Sequence, residues 1–221
     1  MNKIQYTIFN GNSYMFPIFN GKIIDKMPEL ITQGYTPISI SEIMEQRIIA
    51  WESDKENLAQ IWGNNYFNSG DGIIYHPDGR IKIVPNSENI KNINKKTPLK
   101  WYGAHKLDNG TFDKIQGYEF SKNEINKYAN KYLNQEDVLN NSIWLALAGE
   151  DRELLKNYTK QVYSKSHKPN LMKIWISETP GFEAERLFCF YGLNYLSNIF
   201  ADNSVRLKNN GKLIGIENKI Q

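Results

Sequence analysis

Four residues in the middle of the chain carry the side chains that metal-assisted hydrolysis needs. Asp71 stands in Ser69-Gly70-Asp71-Gly72, His76 and Asp78 flank Pro77, and His105 follows in Gly103-Ala104-His105. Carboxylates and imidazoles hold divalent metals and move protons near neutral pH. Their spacing matches no standard metal motif, and Asp78 is the residue that a Pro-Asp-Gly turn asks for in any case. A nuclease-type pattern, an acid followed across a hairpin by acid-x-Lys, would use Asp71 and Lys82, but Arg80 stands where the second acid belongs. No phosphate-binding loop, dinucleotide fingerprint, nucleophile elbow or zincin motif occurs. Cys189 lies between Phe188 and Phe190 with no local base, which reads as a buried structural thiol. No cofactor is implied. The chain reads as a non-catalytic binding protein. The alternatives are a metal-dependent hydrolase built on Asp71, His76, Asp78 and His105, or a structural or assembly subunit.

The distribution of charge points to a partner. The net charge is only +3, so no global field forces a nucleic-acid or membrane reading. Between Arg80 and Lys106, however, seven Lys and Arg face one acid, Glu88, whereas residues 1–79 hold nine acids against five bases. Within the basic block, Arg80, Lys82, Lys95, Lys96 and Lys100 are followed by Trp101 and Tyr102. Cations interleaved with rings suit single-stranded nucleic acid, because phosphates take the charge and bases take the rings. The expected partner is therefore anionic: nucleic acid, a nucleotide-like ligand or an acidic protein surface.

The element that positions these residues is the run Ile73 to Val84. Pro77 and Gly79 make a three-residue hairpin turn between β-branched and aromatic strands. With His76 opposite Arg80, Tyr75 opposes Ile81, Ile74 opposes Lys82 and Ile73 opposes Ile83. Ile73, Tyr75, Ile81 and Ile83 then form a core face, and Arg80 and Lys82 an accessible cationic one. The Asn-Gly pairs at 10–11, 20–21, 109–110 and 210–211 suggest further turns, with a closing hairpin over 204–216.

Helices fall between the strands. Ser39-x-x-Glu42 and Ser121-x-x-Glu124 are capping boxes ahead of apolar residues at helical spacing. Leu58, Ile61 and Trp62 belong to a short helix, Val138–Leu147 to a buried one and Asp151–Tyr163 to an amphipathic one. Leu171–Ser177 reads as a strand, and 183–200 fits either helix or strand. The fold class is α+β, an antiparallel sheet of several hairpins with four to five helices packed against it.

Thirteen Tyr and five Trp among 221 residues exclude disorder and supply a core for a single domain over 1–221. The polar stretch 85–98 reads as a long surface loop or a seam. One cysteine excludes a disulfide framework, and the start of the chain shows no secretory apolar run. The expectation is a cytoplasmic protein without a membrane segment. Abundant Asn, Ile and Lys suggest an AT-rich bacterial or phage genome.

Overall fold

The structure, a computed structural model, describes residues 2–8, 12–53, 56–165, 171–192, 198–201 and 205–217. It opens with β1 (Asn2–Ile8), β2 (Asn12–Lys22), α1 (Ile23–Thr32), β3 (Tyr35–Pro37), α2 (Ile40–Glu52) and α3 (Glu56–Asn64). The central part holds β4 (Phe67–Tyr75), β5 (Ile81–Val84), α4 (Glu88–Lys91), β6 (Leu99–Lys100), β7 (Ala104–Lys106), α5 (Thr111–Lys114) and β8 (Tyr118–Phe120). Then come α6 (Lys122–Tyr128), α7 (Gln135–Leu139), α8 (Ser142–Leu147), α9 (Arg152–Ser164), β9 (Ile174–Ile176), β10 (Ala184–Phe190), β11 (Ile199–Ala201) and β12 (Asn210–Glu217). The class is α+β with a mostly antiparallel sheet, but the described residues hold nine helical segments rather than four to five.

Two strands, β4 and β10, form the middle of the sheet and pair antiparallel. Each changes its outer partner along its length. β4 meets β12 at Asn68 and β5 from Gly72 onward. β10 meets β7 at its start and β11 at its end. Every residue of both strands is buried, so the centre of the sheet is covered on both faces. On one face Ile73, Tyr75, Ile81, Ile83, Phe188 and Phe190 pack with the helical layer, including Trp62, Trp144 and Tyr158. On the other, Leu187 and Cys189 pack with Ile23, Met27 and Leu30 of α1, while Ile74 and Val84 pack with Phe112 of α5.

The central hairpin has the register expected of it, with Tyr75 opposite Ile81, Ile74 opposite Lys82 and Ile73 opposite Ile83. Gly79 closes the turn at φ 100°, its N–H donating to the His76 carbonyl. Both capping boxes are present, Ser39 with Glu42 and Ser121 with Glu124. The run read as one helix over 138–147 is divided. Asn141 accepts from the N–H groups of Ile143 and Trp144 and starts α8 afresh. The ambiguous 183–200 region contains β10 and β11.

The closing hairpin over 204–216 does not form. Ser204 lies outside the described residues, and Asn210–Glu217 is one strand whose partners are β2, β3 and β4. Asn20-Gly21 and Asn210-Gly211 are not turns either; Gly21 sits directly opposite Gly211 in the β2–β12 pair. No room exists for a side chain at Gly211, where a Cβ would strike Asn68 and Ile23. The Asn10-Gly11 turn falls outside the described residues. Asn109-Gly110 does turn the chain, but into α5. The 85–98 stretch holds α4 and three buried side chains, Ser87, Ile90 and Ile93. Among the described residues no helix is long and apolar enough to cross a membrane.

Candidate functional site

The carboxylates and imidazoles picked out for metal chemistry do not share a site. Asp71 is buried, with Oδ2 accepting from Ile40 N–H at 2.6 Å and Oδ1 from Asn86 N–H at 2.8 Å. It anchors the start of α2 and the turn after β5. Burial pushes its carboxyl up to about 6, against the pull of those two donors. Asp78 instead stays at the hairpin tip, 2.7 Å from His76 Nδ1 and 2.8 Å from Arg80 Nε. His105 lies on β7, opposite Glu185 of β10 and Leu99 of β6. Among the described residues no three of His, Cys, Asp and Glu gather as metal ligands would. Cys189 is buried, and burial holds its thiol far above the ordinary range, which suits the structural reading.

The basic block is also dispersed. Arg80 is half-buried and donates to Asp78 and, at 2.7 Å, to Glu119. Lys82, expected on an accessible face, is buried. Its ammonium donates to the carbonyls of Phe112 at 2.6 Å and Ile115 at 3.0 Å, 4.4 Å from the Phe112 ring centroid. The strap 107–115 covers the face that period-two alternation assigned to solvent. Lys95 points outward and lies 3.8 Å from Asp25. Lys96 and Lys100 are exposed.

Trp101 and Tyr102 stand apart from that set. They form the turn between β6 and β7, where Lys100 pairs with Ala104. Trp101, Tyr102 and Gly103 all have positive φ, at 40°, 57° and 81°. Only the third is a residue type at ease there, so two bulky aromatic residues carry backbone strain. Arg186 of β10, fully buried, pins the turn. It donates to the Trp101 carbonyl, to the Tyr102 carbonyl at 3.5 Å and to the Val205 carbonyl at 2.8 Å. Its guanidinium carbon lies 4.7 Å from the Trp101 ring centroid, and Trp101 packs edge-on against Tyr75. A further strut comes from Leu207 N–H, which donates to the Gly103 carbonyl at 3.2 Å.

The ring held out by this support is Tyr102. It is 59% exposed, the highest value among the exposed large apolar side chains of the described residues. The Arg206 guanidinium lies 5.8 Å from its ring centroid. Sequence reasoning missed Arg186 and Arg206. Nothing local marks either one, because the turn they support is about 85 and 104 residues away in the chain, from contacts of Arg186 and Arg206 with 101 and 102.

On the opposite face of β10 lies a buried polar row. Glu185, opposite both Ile74 and His105, receives the Ser87 hydroxyl, and its Oε2 has no hydrogen-bond partner. Burial raises its carboxyl to about 7, with the Ser87 hydroxyl pulling the other way. His105 Nδ1 is likewise buried and unpartnered, and burial lowers the imidazole below its ordinary value. Gly72 makes the row possible, since a Cβ there would collide with Glu185 Oε1.

No family model matches the chain, and no curated protein does. A solved structure does match, with a TM-score of 0.69 at 13% identity, covering 90% of this chain and 96% of the other. It is described as accommodation of massive sequence variation in Nanoarchaeota by the C-type lectin fold. At that identity the likeness shows the fold, and the fold is that of C-type lectins. This overturns the expectation of a bacterial or phage protein engaging nucleic acid, a nucleotide-like ligand or an acidic protein surface. The burial of Lys82 and the pairing of Arg80 agree with the correction, since one of the hairpin's cations is buried and the other is engaged by the protein's own carboxylates.

Proposed function

We propose that this protein is a recognition module of C-type lectin fold that binds another protein through the turn at Trp101, Tyr102 and Gly103. Its residues 1–221 act as one domain, and its buried lone cysteine suits a reducing, cytoplasmic setting. The observation that carries the reading is the run of three left-handed residues braced by a buried arginine to hold one tyrosine in solvent. Strain of this kind gathers at sites of ligand contact. Tyrosine, tryptophan and arginine are the residues that dominate protein–protein binding energy. A ring so exposed on a turn enters a cleft on its partner, whereas small-molecule sites are concave and bury their ligand.

The test uses the purified full chain on an array of folded proteins and, in parallel, on a glycan array. Binding to discrete protein spots, lost in Tyr102→Ala and kept in Tyr132→Ala, is the expected result. Tyr132 is the matched control because its ring is also exposed, at 45%. Binding confined to glycans, or protein binding indifferent to Tyr102, overturns the proposal.

A further inference from the structure

The hairpin tip and α6 face a second feature, independent of Tyr102. A cavity of about 370 Å³ opens between Gly79 and Ile81, the α6 residues Lys122, Ile125 and Asn126, and the segment 176–179 that leaves β9. That volume is at the lower end of ligand pockets, which run from about 300 to 1,000 Å³. We infer that it is a site for a free α-amino acid with an aliphatic side chain.

The chemistry of the wall carries the inference. Lys122 lies on the α6 side and Glu178 on the β9 side, both exposed, and neither forms an ion pair with a described residue. Asn126 and Thr179 likewise add an amide and a hydroxyl without a side-chain partner among the described residues. Two opposite charges thus border one small space without neutralising each other. A molecule carrying both an ammonium and a carboxylate satisfies both at once. The apolar contact comes from Ile125, which is half-buried, since Ile81 and Ile176 along the same wall are buried in the core. The α-carboxylate goes to Lys122 and Asn126, the α-ammonium to Glu178, and the side chain to Ile125.

The β9 wall is fixed in advance. Asn130 donates to the Ile176 carbonyl at 2.9 Å and accepts from Ile176 N–H at 2.9 Å, holding the end of β9. Gly79 leaves space for the alkyl chain of Lys122, whose Cδ would lie 2.9 Å from a Cβ at that position. A preformed site loses less on binding than one that must be ordered.

Isothermal calorimetry and amide chemical shifts on the full chain test the site, with leucine as the probe. Leucine is expected to bind at millimolar concentration or below and to shift the amides of Asn126, Ser177 and Thr179. N-acetylleucine lacks the ammonium and leucinamide lacks the carboxylate; each should bind roughly tenfold more weakly or worse. Lys122→Gln and Glu178→Gln should do the same with the thermal midpoint unchanged, and Tyr102→Ala should leave leucine binding intact. The inference is overturned by no leucine binding at millimolar concentration, by equal binding of the blocked forms, or by binding that survives both substitutions. Stronger binding of N-acetylleucine or of leucinamide would instead mark a site for a peptide's C-terminal or N-terminal residue, and overturns the free amino acid as its ligand.

Discussion

Arg186 and Trp101 meet twice: the guanidinium donates to the Trp101 carbonyl and also lies 4.7 Å from the centre of the indole ring. One buried side chain therefore controls both the backbone and the ring of a residue 85 positions earlier in the chain. The same guanidinium holds Val205, so the β6–β7 turn and the approach to β12 share a single support. The strained conformation is stable because it is determined from below, and Tyr102 inherits its direction from that support.

Removing the support exposes its value. Arg186→Met leaves the carbonyls of Trp101 and Val205 short of donors in a buried site. The expected loss is about 3 kcal/mol, measured by urea unfolding. Arg186→Lys keeps the charge but not the fork that reaches several carbonyls at once, so it should recover less than half of that. Full recovery by lysine would show that charge alone, not geometry, holds the turn.

Strain at Tyr102 makes an unusual prediction for a glycine substitution. Tyr102→Gly relieves a positive φ of 57° and should leave the fold unchanged or stabilise it by about 0.5–1 kcal/mol. The adjacent Gly103→Ala should cost at least about 1 kcal/mol, since φ is 81° and a Cβ would sit 3.2 Å from that of Arg206. A stabilised variant that no longer binds the partner is the signature of strain kept for recognition. A destabilised Tyr102→Gly would mean that the ring itself holds the turn together.

Lys82 offers a test of the buried face. If it were the solvated lysine that strand alternation suggests, Lys82→Met would change stability by less than about 0.5 kcal/mol. Because it donates to Phe112 and Ile115, the expected loss is about 2 kcal/mol. Hydrogen exchange should quicken locally in the 111–115 strap, as measured by mass spectrometry.

These residues also show what a sequence makes legible. The 73–84 hairpin was readable because its turn chemistry and its period of two lie within twelve residues. The caps at Ser39 and Ser121 were readable for the same local reason. Burial of Lys82 was not, since the ring and carbonyls that receive it arrive 30 residues later. Asn20-Gly21 and Asn210-Gly211 have turn chemistry, yet their glycines face each other across β2 and β12, and long-range pairing overrode the local preference. At the site, Trp101 and Tyr102 stood out as rings beside a lysine. Their left-handed backbone did not, because Arg186 imposes it from another strand.

The buried carboxyls set the response to pH. Glu185 is raised from an ordinary 4.5 to about 7, and Asp71 from 3.8 to about 6. Below the ordinary values both are protonated whether the chain is folded or not. As pH rises, the unfolded chain ionises first, so the stability these groups contribute is lost between about pH 4 and 7. A shift of two units corresponds to about 3 kcal/mol, an upper bound for each group. His105 acts in the opposite sense: its lowered value makes acidification costly below the ordinary histidine range. The clean measurement is therefore a difference. Urea unfolding of the wild type and of Glu185→Gln, compared from pH 4.5 to 8, isolates Glu185 from His105 and Asp71. Wild-type stability should fall relative to Glu185→Gln across that interval and level off above pH 7. A difference that stays flat would mean that Glu185 keeps its ordinary value, with its unpartnered Oε2 reached by solvent.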